Sequence, residues 1–175
     1  KNKVGGTCLN VGCIPTKALM KNVEILHYID AGKKRGIKVK GELELDYAKA
    51  VKAKDKAVKQ LVNGVTGLLA SNEITMYQGM GTVKAGNKIE VTAENGDVET
   101  IEYGKLILAT GSSPKMPPIP GADLEGIMTS EGFLSITEVP EKLVVIGAGV
   151  IGCELATVFK AYGSQITMVE MMDKP

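Results

Sequence analysis

The fold of this chain is decided by residues 143–154, which read LVVIGAGVIGCE. The four apolar residues at its start predict a strand buried on both faces, as parallel strands in α/β proteins are. Glycines follow at the spacing of the G-x-G-x-x-G turn, which joins such a strand to a helix in dinucleotide-binding folds. A helix through Tyr162 and a strand at 165–169 would complete a βαβ unit. The sequence therefore predicts an α/β protein.

The glycine loop also predicts a binding chemistry. Gly147 would allow the tight turn, Gly149 the close approach of a pyrophosphate, and Gly152 the close packing of helix on strand. Free N–H groups and the positive end of the helix dipole would attract the phosphates. Glu170 ends the next strand, where an acidic residue bonds the adenosine ribose and repels a 2′-phosphate, so NAD is favoured over NADP. A glycine turn without a ligand is the alternative. The residues expected to contact NAD are Gly147, Gly149, Val150, Ile151, Gly152 and Glu170.

The chain before this unit contains a predicted helical part followed by a predicted β-rich part. A helix is predicted from about Pro15 to Gly32–Gly36, and an amphipathic helix from Asp46 to Ala70. A small antiparallel sheet should follow, with the Asn95-Gly96 pair as its hairpin turn. Its strands are predicted at 74–78, 82–85, 88–93 and 98–103. The apolar run at 105–109 predicts a further strand buried on both faces, and prolines at 114, 117, 118 and 120 mark a connector between domains.

Two cysteines stand close together in the stretch 6–13, GTCLNVGC. Their four-residue separation does not match the two-residue spacing of zinc knuckles or thioredoxin-like motifs. We expect a loop to carry both, with Cys13 just before a helix N-terminus whose positive end favours a thiolate. A redox pair, two unrelated buried cysteines and half of a metal site all remain open from the residues alone. A metal site has little support, because neither Cys153 nor His27 lies at ligand spacing.

Composition narrows the function classes. The chain has 175 residues, 44% of them hydrophobic, and a net charge of +1. This balance gives no global reason to expect nucleic acid. No apolar run could span a membrane, no signal peptide is visible, and three cysteines are too few for a secreted disulfide scaffold. We expect neither nucleic acid nor membrane as a partner, and a cytoplasmic protein, or one of the mitochondrial matrix if eukaryotic. Five lysines crowd the second helix, either as a solvated face or as a basic docking surface: Lys49, Lys52, Lys54, Lys56 and Lys59.

The stretch 5–19, GGTCLNVGCIPTKAL, resembles the active-site signature of the pyridine nucleotide–disulfide oxidoreductases, and most of all that of their dihydrolipoamide dehydrogenase branch. Residues 109–112, ATGS, resemble the second flavin motif of this family, and 147–154 its NAD motif. The motifs follow one another in the family's order over essentially the whole chain. The alternatives are another disulfide or mercuric reductase of the same family, a flavin-free fragment and, more distantly, a zinc module.

The resemblance implies roles for individual residues. Cys8 would be the interchange thiol of a Cys8–Cys13 redox disulfide, and Cys13 the charge-transfer thiol beside the flavin. Lys17 would lie near the reactive nitrogen of the flavin and pair with Glu154. Cys153 would pack as a small hydrophobe. The reaction implied is oxidation of dihydrolipoamide to lipoamide with NAD⁺ as acceptor, and FAD and NAD are the implied cofactors. The further contacts implied for FAD are Thr7, Gly81, Thr110, Gly111 and Ser112.

The resemblance also implies a domain division. Residues 1–139 would be a partial FAD-binding Rossmann-like domain with an inserted antiparallel β-meander, lacking the N-terminal GxGxxG. Residues 140–175 would be the first βαβ unit of a truncated NAD-binding domain. The implied partners are dihydrolipoamide on a lipoyl domain of a 2-oxo acid dehydrogenase or glycine-cleavage complex, and a second subunit of a homodimer. The acid/base His-Glu pair of the family would come from a domain outside this chain, so we expect the chain alone to be inactive.

Overall fold

A computed structural model describes residues 3–173. The N-terminal part is helical, with α1 at Gly6–Val11, α2 at Cys13–Lys33 and α3 at Tyr47–Ser71. The expected loop around the cysteines is wrong, because α1 is a short helix that carries Cys8. The amphipathic helix predicted from Asp46 to Ala70 is confirmed and is α3. It begins where the Asp46 side chain accepts a hydrogen bond from the Lys49 N–H at 2.8 Å, an N-cap that satisfies an otherwise unpaired donor.

The antiparallel sheet contains β1 at Met80–Lys84, β2 at Lys88–Thr92 and β3 at Val98–Glu102, in the order β1-β2-β3. The Asn95-Gly96 hairpin is confirmed, with Gly96 at a positive φ of 89°. The predicted strand at 74–78 is wrong. The Ile74 N–H donates to the Leu69 carbonyl at 2.9 Å and so closes the end of α3. No partner strand among residues 3–173 pairs with 74–78.

The nucleotide-type unit forms as predicted. Strand β4 at Lys142–Ile146 leads through the glycine loop into α5 at Val150–Ala161, and β5 at Gln165–Val169 pairs parallel to β4. A short helix, α4 at Ser130–Phe133, precedes this unit. The prediction that β4 is buried on both faces is wrong. Leu143 is buried, but Val144 and Ile146 are each 61% exposed. Helix α5 covers one face, and no described element packs closely on the other.

The apolar run at 105–109 is not a strand in the structure. Ile107 is 88% exposed and Leu108 71% exposed. A parallel strand needs hydrogen-bonding neighbours in its sheet, and none of the described residues provides one for this run. The chain is thus a mixed α/β structure with one antiparallel and one parallel sheet, and the Rossmann-like arrangement of its first part stays a prediction.

One core joins the helical part to the parallel unit. Phe159 of α5 is fully buried, and its ring lies 5.3 Å from that of Tyr47 on α3 and 4.9 Å from that of Phe133 on α4. Leu19 and Val23 of α2 pack into the same cluster. Because α5 follows the glycine loop and α2 begins at Cys13, this core sets where the loop lies relative to the cysteines. No helix among residues 3–173 has the length and apolarity to span a bilayer.

Candidate active site

A close approach at Gly12 brings the two cysteines together. Gly12 separates α1 from α2, and a Cβ atom there would lie 2.9 Å from the Thr7 carbonyl oxygen and 3.1 Å from Cα of Cys8. Only glycine leaves that space, so the chain can fold back and place Cys13, the first residue of α2, beside Cys8. This role of Gly12 was not predicted from the sequence, although a glycine directly before the second cysteine is a visible signal.

Two polar side chains hold this α1–α2 corner. The Asn10 Nδ2 group donates to the carbonyls of Val4 and Gly6, both at 2.9 Å. The buried Thr16 hydroxyl donates to the Gly12 carbonyl at 2.8 Å. Asn10 gives the Val4 carbonyl a partner, and the Thr16 hydroxyl adds a second bond to the Gly12 carbonyl, which also accepts from the Thr16 N–H at 3.2 Å. Neither Asn10 nor Thr16 was predicted from the sequence as part of this site.

Cys8 and Cys13 are free thiols, and both are exposed. Hydrogen bonding to the Cys13 side chain raises the pKa of the Cys8 thiol, and partial loss of water contact raises it further. The Cys13 backbone N–H and the charge of Lys17 act on the Cys8 pKa in the opposite direction. Cys8 thus holds its proton to a higher pH than an isolated cysteine would. Cys13 is the first residue of α2 and lies at the positive end of the helix dipole.

Lys17 lies one turn after Cys13 on α2, and its ammonium reaches across to α5. The Lys17 Nζ atom lies 3.6 Å from Oε1 of Glu154, so the predicted long-range contact is confirmed. The side chains are 65% and 29% exposed. Ion pairs this exposed contribute about 0–1 kcal/mol to stability. The pair therefore matters mainly for position. It joins the α1–α2 corner, which carries the two thiols, to α5, the helix that follows the glycine loop.

The glycine loop has the shape that its motif predicts. Gly147 has a φ of +100°, and a Cβ atom on Gly149 would meet no atom within 4 Å. A Cβ atom on Gly152 would collide with the Gly147 carbonyl oxygen and lie 3.2 Å from Cγ1 of Val145. The loop is therefore open at Gly149 and tightly packed at Gly152.

The first turn of α5 presents unused donors. Gly149 is the N-cap residue of this helix and makes no side-chain cap bond. Among the described residues, no backbone carbonyl accepts from the N–H groups of Val150 or Ile151, whose side chains are 76% and 60% exposed. A pyrophosphate in this opening would find both space and donors.

Glu170, the residue directly after β5, supports the same loop. Its Oε2 atom accepts from the Ala148 N–H at 2.6 Å, and its Oε1 accepts from Met171 and Met172 at 2.8 and 2.9 Å. These backbone bonds, that of Ala148 first, lower the pKa of Glu170. Cys153 supports the loop from the other side, because its thiol donates to the Ala148 carbonyl at 3.1 Å. Cys153 is thus more than the small hydrophobe that we expected.

The residues predicted to contact the flavin lie on other segments. Gly81 is in the middle of β1 opposite Val91, and a Cβ atom there would lie 3.8 Å from the nearest side-chain atom, so packing does not require glycine. Thr110, Gly111 and Ser112 follow the unpaired apolar run and are exposed, with Gly111 at a φ of 73°. Thr7 lies in α1 next to Cys8. The described residues form no cluster of three or more His, Cys, Asp or Glu side chains suited to a metal.

Comparison with known proteins identifies the family to which this chain belongs. The profile described as "Pyridine nucleotide-disulphide oxidoreductase" matches residues 2–175. The chain belongs to the pyridine nucleotide-disulphide oxidoreductase family. A dihydrolipoyl dehydrogenase from Acholeplasma laidlawii is 44% identical over 99% of this chain and 51% of its own length. A mitochondrial dihydrolipoyl dehydrogenase from Dictyostelium discoideum is 43% identical over 99% of this chain and 36% of its own length.

Solved structures agree with this family. The HOCl-induced flavoprotein disulfide reductase RclA from Escherichia coli is 29% identical, with a TM-score of 0.78 over 97% of this chain and 34% of its own. The chain spans about half or less of the length of the curated relatives that it matches. The structure of this family member thus combines the α1–α2 corner with its two cysteines, a dinucleotide-type glycine loop and the ion pair that joins them.

Proposed function

We propose that this chain is the part of a dihydrolipoyl dehydrogenase that carries its redox cysteines and its NAD loop. The α1–α2 corner carries the proposal, because the close approach at Gly12 brings Cys13 beside Cys8 and both thiols are exposed. The names of the relatives support dihydrolipoamide rather than another dithiol as the substrate.

The thiol chemistry follows from exposure and charge. With Cys8 and Cys13 joined as a disulfide, a substrate thiolate would attack the Cys8 sulfur and release Cys13 as a thiolate. The α2 N-terminus stabilises that leaving charge. The second thiol of the substrate would then attack the substrate sulfur of the mixed disulfide. This step would release cyclic lipoamide and return Cys8 as a thiol. Two electrons thereby pass from the substrate to the cysteine pair.

The two dinucleotides would occupy different parts of the chain. FAD, when bound, supplies the two-electron relay between the dithiol and NAD⁺. Lys17 would lie beside it with Glu154 holding its ammonium, and Thr7, Gly81, Thr110, Gly111 and Ser112 would contact the rest of the flavin dinucleotide. NAD fits the glycine loop because the space at Gly149 is open and the first turn of α5 has free donors. The Glu170 carboxylate accepts three backbone bonds, so about one of its four acceptor positions is left for a ribose hydroxyl.

The proposal extends to organisation and partners. Residues 1–139 would belong to the flavin domain and 140–175 to the NAD domain, each completed outside this chain. The partners would be a lipoyl domain of a 2-oxo acid dehydrogenase or glycine-cleavage complex and a second identical subunit, in the cytoplasm or the mitochondrial matrix.

Thiol–disulfide exchange tests the proposal without depending on a bound flavin. The chain is oxidised, its disulfide is mapped by mass spectrometry, and dihydrolipoamide is added under nitrogen. We expect a Cys8–Cys13 disulfide that dihydrolipoamide reduces, with Cys153 free throughout, and Cys153→Ser as a variant that behaves like the parent. A disulfide that involves Cys153, or one that dihydrolipoamide leaves intact, would contradict the proposal. Faster reduction by glutathione than by dihydrolipoamide would favour another disulfide reductase, and a visible spectrum shows whether flavin is bound.

A further inference from the structure

Cys153 lies outside the α1–α2 corner, and the proposed thiol chemistry does not use it. It is the fourth residue of α5, directly after the first turn that follows the glycine loop. Its thiol donates to the Ala148 carbonyl at 3.1 Å, and its backbone N–H donates to the Gly149 carbonyl at 3.0 Å. One residue therefore binds two successive carbonyl groups of the loop.

The thiol reaches a carbonyl group that the helix backbone leaves without a donor. Gly149 is the N-cap of α5, so its carbonyl is the first that accepts a helical bond. Ala148 precedes the N-cap, and no backbone N–H among residues 3–173 donates to its carbonyl. Because Ala148 is a buried residue, a carbonyl without a partner there would be unfavourable. The Cys153 thiol supplies the missing donor.

The bond to the thiol also fixes the direction of the next N–H group. A peptide group is planar and trans, so its C=O and N–H bonds point in opposite directions. With the Ala148 carbonyl turned toward Cys153, the Gly149 N–H points away from α5. Gly149 is exposed, and no backbone carbonyl in the described part of the chain accepts from its N–H. The thiol thus turns a free donor into the space in front of the helix N-terminus.

Glu170 holds the same loop residue from its other side. Its Oε2 atom accepts from the Ala148 N–H at 2.6 Å. Ala148 is therefore held at both its N–H and its C=O, which restricts rotation of the two peptide groups that flank it. A donor that is fixed before its ligand arrives has less conformational freedom to lose on binding.

We propose that Cys153 is a positioning residue for the dinucleotide, which points the Gly149 N–H at the pyrophosphate. This inference rests on the proposed function, in which NAD occupies the glycine loop. Cys153 acts through its bond to Ala148 and touches neither cofactor nor substrate. The role requires a hydrogen-bond donor at position 153, because an apolar side chain would fill the space without orienting the peptide group.

Calorimetric titration with NAD⁺ in reducing buffer compares three variants with the parent. Cys153→Ala removes the donor, and Cys153→Ser replaces the thiol by a hydroxyl that still donates. Thr157→Val is the matched control. The exposed Thr157 hydroxyl donates to the Cys153 carbonyl at 2.8 Å on the same helix, so its loss removes a side-chain bond to the backbone but leaves Ala148 unchanged. Circular dichroism checks that every variant folds.

We expect Cys153→Ala to weaken NAD⁺ binding about 5-fold, because a misdirected N–H loses part of its bond to a charged phosphate. Cys153→Ser should bind within about twofold of the parent, and Thr157→Val should match the parent. Binding by Cys153→Ala as tight as that of the parent would overturn the inference. Binding by Cys153→Ser as weak as that of Cys153→Ala would also overturn it, because the loss would then come from side-chain volume.

The infrared S–H stretching band gives a second readout that packing alone would not move. A thiol that donates a hydrogen bond absorbs at a lower frequency than a free thiol, and subtraction of the Cys153→Ala spectrum isolates the Cys153 band. We expect this band to lie below that of the urea-unfolded chain, and equal frequencies would overturn the bond to Ala148. A parent that binds no NAD⁺ would instead overturn the NAD site of the proposed function, and this inference with it.

Discussion

Replacement of Gly152 by alanine tests whether the glycine loop and α5 are packed as the structure shows. The new Cβ would collide with the Gly147 carbonyl and press on Val145. Forcing an extra methyl group into a packed site costs about 1–3 kcal/mol. Alanine returns up to about 1 kcal/mol through its better helix propensity. Because the collision is with a backbone oxygen, the cost should lie near the upper end of that range, and we expect Gly152→Ala to lower the free energy of unfolding by about 2 kcal/mol.

Gly149→Ala is the matched control, three residues earlier in the same glycine motif. Gly149 has a φ of −67° and a ψ of 174°, which alanine adopts without strain, and its Cβ would meet no atom within 4 Å. Its stability should stay within about 0.5 kcal/mol of the parent, because a slightly poorer cap is offset by a less flexible unfolded chain. Its NAD⁺ binding should nevertheless weaken, because the methyl group would fill the opening proposed for the pyrophosphate.

Urea unfolding followed by circular dichroism measures the first effect, and calorimetric titration with NAD⁺ measures the second. A Gly152→Ala protein as stable as its parent would show that the loop is not packed against α5 in this way. A Gly149→Ala protein with undiminished NAD⁺ affinity would show that the opening is not the pyrophosphate site.

Three further changes probe the core, the buried lysine and the acidic end of β5. Phe159→Ala removes a fully buried ring and should cost about 3–5 kcal/mol in urea unfolding, whereas a cost below 1 kcal/mol would refute the shared core. Lys54→Met leaves the buried Leu134 carbonyl without its donor and should cost about 1–3 kcal/mol, against at most about 0.5 kcal/mol for Lys56→Met at the surface. The folded-state pKa of Glu170 lies below its ordinary value of 4.5, so its stabilisation is present above that pH and is lost as the pH falls through the folded pKa. Acid unfolding titrations should show this slope in the parent and a shallower one in Glu170→Gln; identical slopes would contradict the assignment.

Local patterns predicted much of this chain correctly. Residue spacing predicted helix α3, turn chemistry predicted the Asn95-Gly96 hairpin, and the glycine motif predicted the βαβ unit. Each of these signals depends on near neighbours in the sequence. The family also followed from short motifs, because the cysteine and glycine stretches are specific over many consecutive residues. The Lys17–Glu154 contact was predicted from the resemblance, since nothing local relates two residues so far apart.

The three errors about strands share one cause. The run at 105–109 and the stretch at 74–78 have the composition of strands, but a strand forms only where another segment supplies hydrogen bonds, and the described residues supply none to either. The same cause leaves Val144 and Ile146 exposed on β4, since a face is buried only when another element covers it.

The sequence by itself determined which chemistry the chain can carry: two cysteines before a helix, a glycine loop after a strand, and an acidic residue at the end of the next strand. Only the tertiary structure decided how these parts meet. Gly12 acts through space, by allowing Thr7 and Cys8 to approach it, and the core around Phe159 joins α2 to α5. Of five lysines in one segment, packing turned Lys54 inward and left Lys49, Lys52, Lys56 and Lys59 exposed. Burial and contact depend on segments far apart in the chain, so a local pattern does not contain them.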